Sequence, residues 1–172
     1  MIVRRRDGGM KATANAGHAR LSAFGKNEVA KSMFGKGRAF VGAYILLRQH
    51  NQAEPTEYVA LQNLCQGVEV TVKSLLLFKD YDRFQPLFGK PKGYGHDLPR
   101  LVKAALEEYS MHPLSRKSMT QFQLLNEFYS NHRLRYGNGV DLLIDPNSIE
   151  RNRVVKLLAR VIKIVLKVQK KV

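Results

Sequence analysis

The chain has 172 residues, a length that suits one domain, and 44% of them are hydrophobic, which excludes wholesale disorder. Its 29 Lys and Arg against 14 Asp and Glu leave a formal charge of +15, a balance that suits a polyanion such as RNA, DNA or an acidic protein surface. The single cysteine, Cys65, excludes an internal disulfide framework and a cysteine-cluster metal site, and no apolar run approaches the roughly 18 residues a membrane span needs.

The charge is unevenly placed. Residues 1–40 hold nine Lys and Arg against Asp7 and Glu28, residues 151–172 hold eight and no acid, and the stretch between is neutral. Met1-Ile2-Val3 leads into Arg4-Arg5-Arg6 with no apolar stretch behind it. That is not the pattern of a secretory signal, so cytoplasmic residence is expected. Residues 1–35, rich in Gly, Ala and Lys without a sustained period, read as a flexible basic arm with at most a short helix near Asn27 to Met33. Residues 36–172 read as one helical-bundle domain. Gly35-Lys36-Gly37 is no phosphate loop, because the upstream glycine and the following Ser or Thr are missing.

The pattern predicts five helices and no strands, an all-α bundle. The first spans about 38–50, with Phe40, Val41, Tyr44, Ile45, Leu46 and Leu47 as a broad apolar face. Pro55 suits the first turn of the second, which carries Val59, Leu61, Leu64, Cys65, Val68, Val72, Leu75 and Leu76 to about Phe78. Cys65 lies within that apolar set, so a packed thiol is expected rather than a nucleophile. Phe78 to Gly95 reads as a long loop of alternating aromatic and charged residues. Asp97 caps the third helix, with Leu98, Leu101, Val102, Ala105 and Leu106 at helical spacing. Ser118 and Gln121 form a capping box for the fourth, which shows Phe122, Leu125, Phe128, Tyr129 and His132 on one side. Asp145-Pro146 starts the fifth, which runs towards the C-terminus. There Arg153, Lys156, Arg160, Lys163, Lys167 and Lys170 recur every three or four residues, one basic stripe on an otherwise apolar helix. The stripe is a solvated edge or a phosphate-tracking ridge.

The short link between helices three and four makes them antiparallel neighbours. That brings the start of one, Gly95-His96-Asp97, beside the end of the other, Asn131-His132-Arg133-Leu134-Arg135-Tyr136. The expected phosphate- or ligand-binding residues are therefore His96, Asn131, His132, Arg133, Arg135 and Tyr136, helped by Lys73 and Lys92. Arginine clamps phosphate bidentately, and an aromatic ring stacks a base. A duller reading stands beside this one. Asp97 is a good helix cap, and His132, Arg133 and Arg135 sit where cations favour a helix C-terminus, with Gly137 to stop it.

Three stretches carry a resemblance: Glu69 with Lys73-Ser74-Leu75-Leu76-Leu77, Gly95-His96-Asp97-Leu98-Pro99-Arg100-Leu101-Val102, and Leu124-Leu125 with Tyr129, Arg133 and Arg135-Tyr136-Gly137. In order and position, over about residues 38–170, the chain resembles the HEPN superfamily of small helical nucleotide-binding proteins. The resemblance implies a bundle of about five helices, a homodimer, RNA or nucleotide as ligand, and a toxin–antitoxin or phage-defence setting with a protein partner such as a nucleotidyltransferase. Catalytic members are metal-independent ribonucleases that place four to six residues between an Arg and a following His. None of His18, His50, His96, His112 and His132 has that spacing, so the resemblance is to a non-catalytic branch.

The expected function is a binding module for nucleotide, RNA or another phosphate-rich partner, needing neither metal nor cofactor and no membrane. One alternative is a metal-independent ribonuclease using His96 or His132 with Arg133 and Arg135. Another is an accessory subunit that docks its apolar fifth helix on a different chain.

Overall fold

The computed structural model describes residues 21–50, 54–89 and 93–131, with the single positions 134, 156 and 159. Five helices make up the described part: α1 (Ala23–His50), α2 (Glu54–Lys79), α3 (Tyr81–Phe88), α4 (Leu98–Glu108) and α5 (Arg116–Ser130). The all-α bundle is thus present, and no strand occurs among the described residues. α2 is its hub, with α1, α3, α4 and α5 all packed on it.

α1 starts well before the expected first helix. The boundary placed at residue 35 falls inside one continuous helix, and only the part of the basic arm before Leu21 lies outside the described residues. Ser22 accepts the Gly25 N–H at 3.1 Å and opens the helix. Ala30, Phe34 and Tyr44 are buried, and with Gly37 and Val41 between them the spacing is 4, 3, 4 and 3, a helical stripe that the surrounding glycines obscure. Gly37 is there for closeness rather than for a turn. A Cβ on it would meet Thr71 Oγ1 at 2.3 Å and the Thr71 backbone N at 2.9 Å. Gly67 on α2 answers it, since a Cβ there would lie 2.7 Å from Val41 Cγ2.

α2 buries Leu61, Leu64, Cys65, Val68, Val72, Leu75 and Leu76. Each large side chain so removed from water contributes about 1.5–3 kcal/mol before the cost of ordering the chain. Cys65 is a packed thiol, as its place in the apolar set implied. Burial first, then the negative charge of Glu69, push it well above its ordinary range, so it is no nucleophile.

The expected loop from Phe78 to Gly95 contains α3. Asp80 accepts the Arg83 N–H at 3.1 Å as its cap, and Phe84 is fully buried. Tyr81, Leu87 and Phe88 pack against the core beside it. The aromatic residues that look like loop decoration in the sequence are the inward face of a two-turn helix.

α4 begins as expected: Asp97 accepts the Arg100 N–H at 3.0 Å, and Leu98, Leu101, Val102, Ala105 and Leu106 are buried. α5 begins three residues earlier than the capping box suggested. Ser115 is its cap, accepting the Ser118 N–H at 3.3 Å, while Ser118 sits in the first turn with its hydroxyl 3.0 Å from that of Ser115. Phe122, Leu125 and Tyr129 turn inward. α4 and α5 run antiparallel: the Leu98 N–H, at the start of one, donates to Asn126 Oδ1, near the end of the other, at 2.9 Å. Of the expected fifth helix only Lys156 and Ala159 are described; both are helical and exposed.

Candidate functional site

Within α2, from Tyr58 to Phe78, two charged residues interrupt the apolar run, Glu69 and Lys73, four apart and so on one face. Both are buried, their side chains 7% and 9% exposed, and Lys73 Nζ donates to Glu69 Oε1 at 2.7 Å. A pair this deep must find further partners, because one hydrogen bond does not satisfy a carboxylate removed from water. Two other elements supply them. Tyr129 of α5 donates its hydroxyl to Glu69 Oε2 at 2.5 Å, and His96, in the turn before α4, places Nδ1 2.9 Å from the same oxygen. The His96 and Tyr129 rings meet edge-on, with centroids 5.9 Å apart and planes at 87°. Lys73 Nζ also lies 5.4 Å from the centre of the Phe88 ring.

The electrostatics follow from this crowding. Burial, the largest single effect, pushes the Glu69 carboxyl up. The hydrogen bonds from Lys73, Tyr129 and His96, with the Lys73 charge, pull the other way and together hold it below its ordinary value. Glu69 is therefore an ionised, buried acceptor that ties three elements together. His96 is the member that reaches the surface, its side chain 46% exposed. Gly95 before it has φ of +48°, a backbone conformation glycine adopts without strain. The Tyr94 N–H donates to Leu87 O at 2.9 Å, and Arg100 Nη1 donates to Gly93 O at 2.8 Å. The turn carrying His96 is thus pinned to both α3 and α4.

The predicted site residues divide on this geometry. His96 stands at the end of the bundle where α4 starts and α5 ends, beside Tyr129. Lys73 is beneath it, committed to Glu69 rather than offered at the surface. Asn131, the cap residue just past α5, turns its amide back on that helix, donating to Glu127 O at 3.0 Å. Lys92, His132, Arg133, Arg135 and Tyr136 lie outside the described residues, as do Arg153, Arg160, Lys163, Lys167 and Lys170 of the basic stripe. Leu134, between the two arginines, is buried. Asp97 acts as a helix cap.

Sequence reasoning missed Glu69 and Tyr129 as members of the site. Glu69 did leave a signal, an ion-pair spacing inside an otherwise apolar helix. Tyr129, apart from its place in the stretches that carry the resemblance, reads as one more aromatic residue on the inward face of α5. As for metal, Lys73 already occupies one carboxylate oxygen, and among the described residues no three His, Cys, Asp or Glu side chains gather where an ion could be held.

Compared with protein-family models, with curated proteins and with solved structures, the chain matches none. Among the described residues no helix is long and apolar enough to cross a membrane.

Proposed function

We propose that the protein is a binding module for RNA, nucleotide or another phosphate-rich partner, with His96 as the fixed contact. The observation that carries this reading is the half-exposed His96 ring, anchored from beneath on a buried carboxylate whose own charge Lys73 offsets. An imidazole held there meets an anion at little cost in side-chain ordering. The +15 net charge, gathered at the two chain ends, supplies the long-range attraction a polyanion would feel. The resemblance to HEPN proteins extends the proposal to a cytoplasmic homodimer in a toxin–antitoxin or phage-defence setting, with a nucleotidyltransferase as a possible kind of protein partner.

The test is the binding of a labelled mixed-sequence RNA followed by fluorescence anisotropy across a salt series. The expected result is a salt-sensitive isotherm that weakens in His96→Ala and weakens further in Arg133→Ala/Arg135→Ala. If all three substitutions leave affinity and salt slope untouched, the site is misplaced.

One feature favours a second reading. A carboxylate behind an imidazole is the arrangement that orients a general base, so Glu69 and His96 also suit metal-independent RNA cleavage. Incubating the same RNA with the protein in chelator decides it: cleavage abolished by His96→Ala supports the enzyme, and RNA that stays intact while bound removes it.

A further inference from the structure

The far end of the α4–α5 pair is built differently from the end that carries His96. About 15 Å further along α4, at the rise of a helix, a cavity of about 390 Å³ opens between the last turns of α4 and the first turn of α5. Its walls are apolar: Leu106 from α4, Met111, Pro113 and Leu114 from the link, and Met119 from α5. Backbone hydrogen bonds keep the link from folding down onto it. Ser110 takes φ of +50° and its N–H donates to Glu107 O at 3.1 Å, while the Met111 N–H donates to Leu106 O at 2.8 Å. The chain thus leaves α4 on a fixed path, and Ser115 restarts it as the cap of α5.

Three properties of the cavity limit what it can take. Its volume holds about a dozen non-hydrogen atoms, each reckoned at the ~30 Å³ of a water molecule in the liquid, which is the scale of a small-molecule site. Two of its walls are methionines, whose flexible thioethers shape themselves to a ring and make favourable contacts with its edge. At the mouth, Lys103 Nζ and Glu107 Oε1 stand 3.9 Å apart on the exposed side of α4. A ligand with a single charge would gain from one of them and lose to the other. A head group that carries both signs on neighbouring atoms gains from both.

We propose that this cavity binds an aromatic α-amino acid of the size of phenylalanine. The ring lies among Leu106, Met111, Leu114 and Met119, the carboxylate meets Lys103 and the ammonium meets Glu107. The Lys103–Glu107 pair is exposed and screened by water, so it opens to the ligand at little cost. The site uses no residue of the His96 cluster and does not rest on the RNA reading.

The intact chain with 13C-methyl-labelled methionine tests the assignment. Met111 and Met119 line the cavity, and Met33, packed on the core from α1, serves as the reference. Each signal is identified by its absence from the corresponding Met→Leu variant. Titration with phenylalanine to about 10 mM is expected to move the Met111 and Met119 signals along a saturating curve, with a Kd between about 0.1 and about 3 mM. Met33 stays in place, because a ring shifts only the nuclei beside it. Signals that do not move, or that move together with Met33, overturn the proposal.

The head group is tested with phenylpropionate, which lacks the ammonium, and phenethylamine, which lacks the carboxylate. Each is expected to bind about two- to fivefold more weakly than phenylalanine. Lys103→Gln is expected to weaken phenylalanine and phenylpropionate by the same factor and to spare phenethylamine, and Glu107→Gln to do the converse. Both side chains are exposed, so neither substitution endangers the fold. Equal binding of the three compounds, or variants that change nothing, overturns the amino-acid assignment. So does leucine binding as tightly as phenylalanine.

Discussion

α2 is held on two sides by opposite kinds of interaction, and they are less than two turns apart. Towards α1 the contact is steric: Gly37 and Gly67 let the helices approach until a single added carbon would strike Thr71 or Val41. Towards α4 and α5 it is electrostatic: Glu69 and Lys73 are buried as a pair and closed over by His96 and Tyr129. A close-packed apolar crossing stabilises the bundle but offers a ligand nothing to recognise. A buried charge network is a poor source of stability, because desolvation offsets most of the attraction, yet it can hold a polar side chain in one orientation at the surface. Scaffold and site have separated onto two faces of one helix.

Removing one partner of the charge pair should give the largest effect. Lys73→Ala leaves the Glu69 carboxylate buried with its main neutralising partner gone, and is expected to cost about 3–5 kcal/mol, measured by chemical denaturation. A cost under about 1 kcal/mol would mean that the pair is open to water, and the contrast between the two faces would fail.

The same carboxylate should make the polar face sensitive to acid where the apolar face is not. The Glu69 carboxyl is held below its unfolded value, so its contribution is fully present above that value, about 4.3 for a free Glu, and is lost as pH falls through the depressed folded value. Denaturation midpoints measured between about pH 6 and about pH 3 should fall less steeply in Glu69→Gln than in the wild type. Equal slopes would remove Glu69 from the acid response.

On the steric face, Gly37→Ala is expected to destabilise by about 1–3 kcal/mol, since the new methyl meets Thr71 backbone atoms that cannot swing aside. Gly35→Ala, two residues earlier on the same helix, should do the reverse. Nothing lies within 4 Å of the position its methyl would take, and replacing a mid-helix glycine should stabilise by about 0.5–1 kcal/mol. If both substitutions shift the melting temperature in the same direction, the close crossing of α1 on α2 is wrong.

The legible parts of this protein are those whose signal is local. Asp97 with Pro99 and the apolar spacing behind it announce α4 in the sequence, and they are what the structure uses. α2 is equally plain, from Pro55 to Phe78. The early half of α1 was hidden because glycine is read as a breaker, whereas Gly37 is selected by the closeness of α2 and Gly35 simply faces outward. α3 was hidden because two turns are too short for a period to stand out among charged neighbours. The convergence of His96 with the end of α5 could be anticipated from the short α4–α5 link, but the partner found there, Tyr129, could not.

The sequence by itself determines an all-α chain with excess positive charge at both ends, a packed thiol at Cys65 and, from Tyr58 to Phe78 of α2, an apolar stretch broken by one Glu and one Lys at ion-pair spacing. Those features depend on composition, on the 3.6-residue period and on caps a few residues long, all of which act within one helix. Only the tertiary structure decides that Glu69 is buried, that Lys73 serves it rather than a ligand, and that His96 is the group left to face outward. These outcomes depend on which residues from α2, α5 and the turn before α4 reach the same few ångströms. A carboxylate taken out of water must then gather every donor within reach.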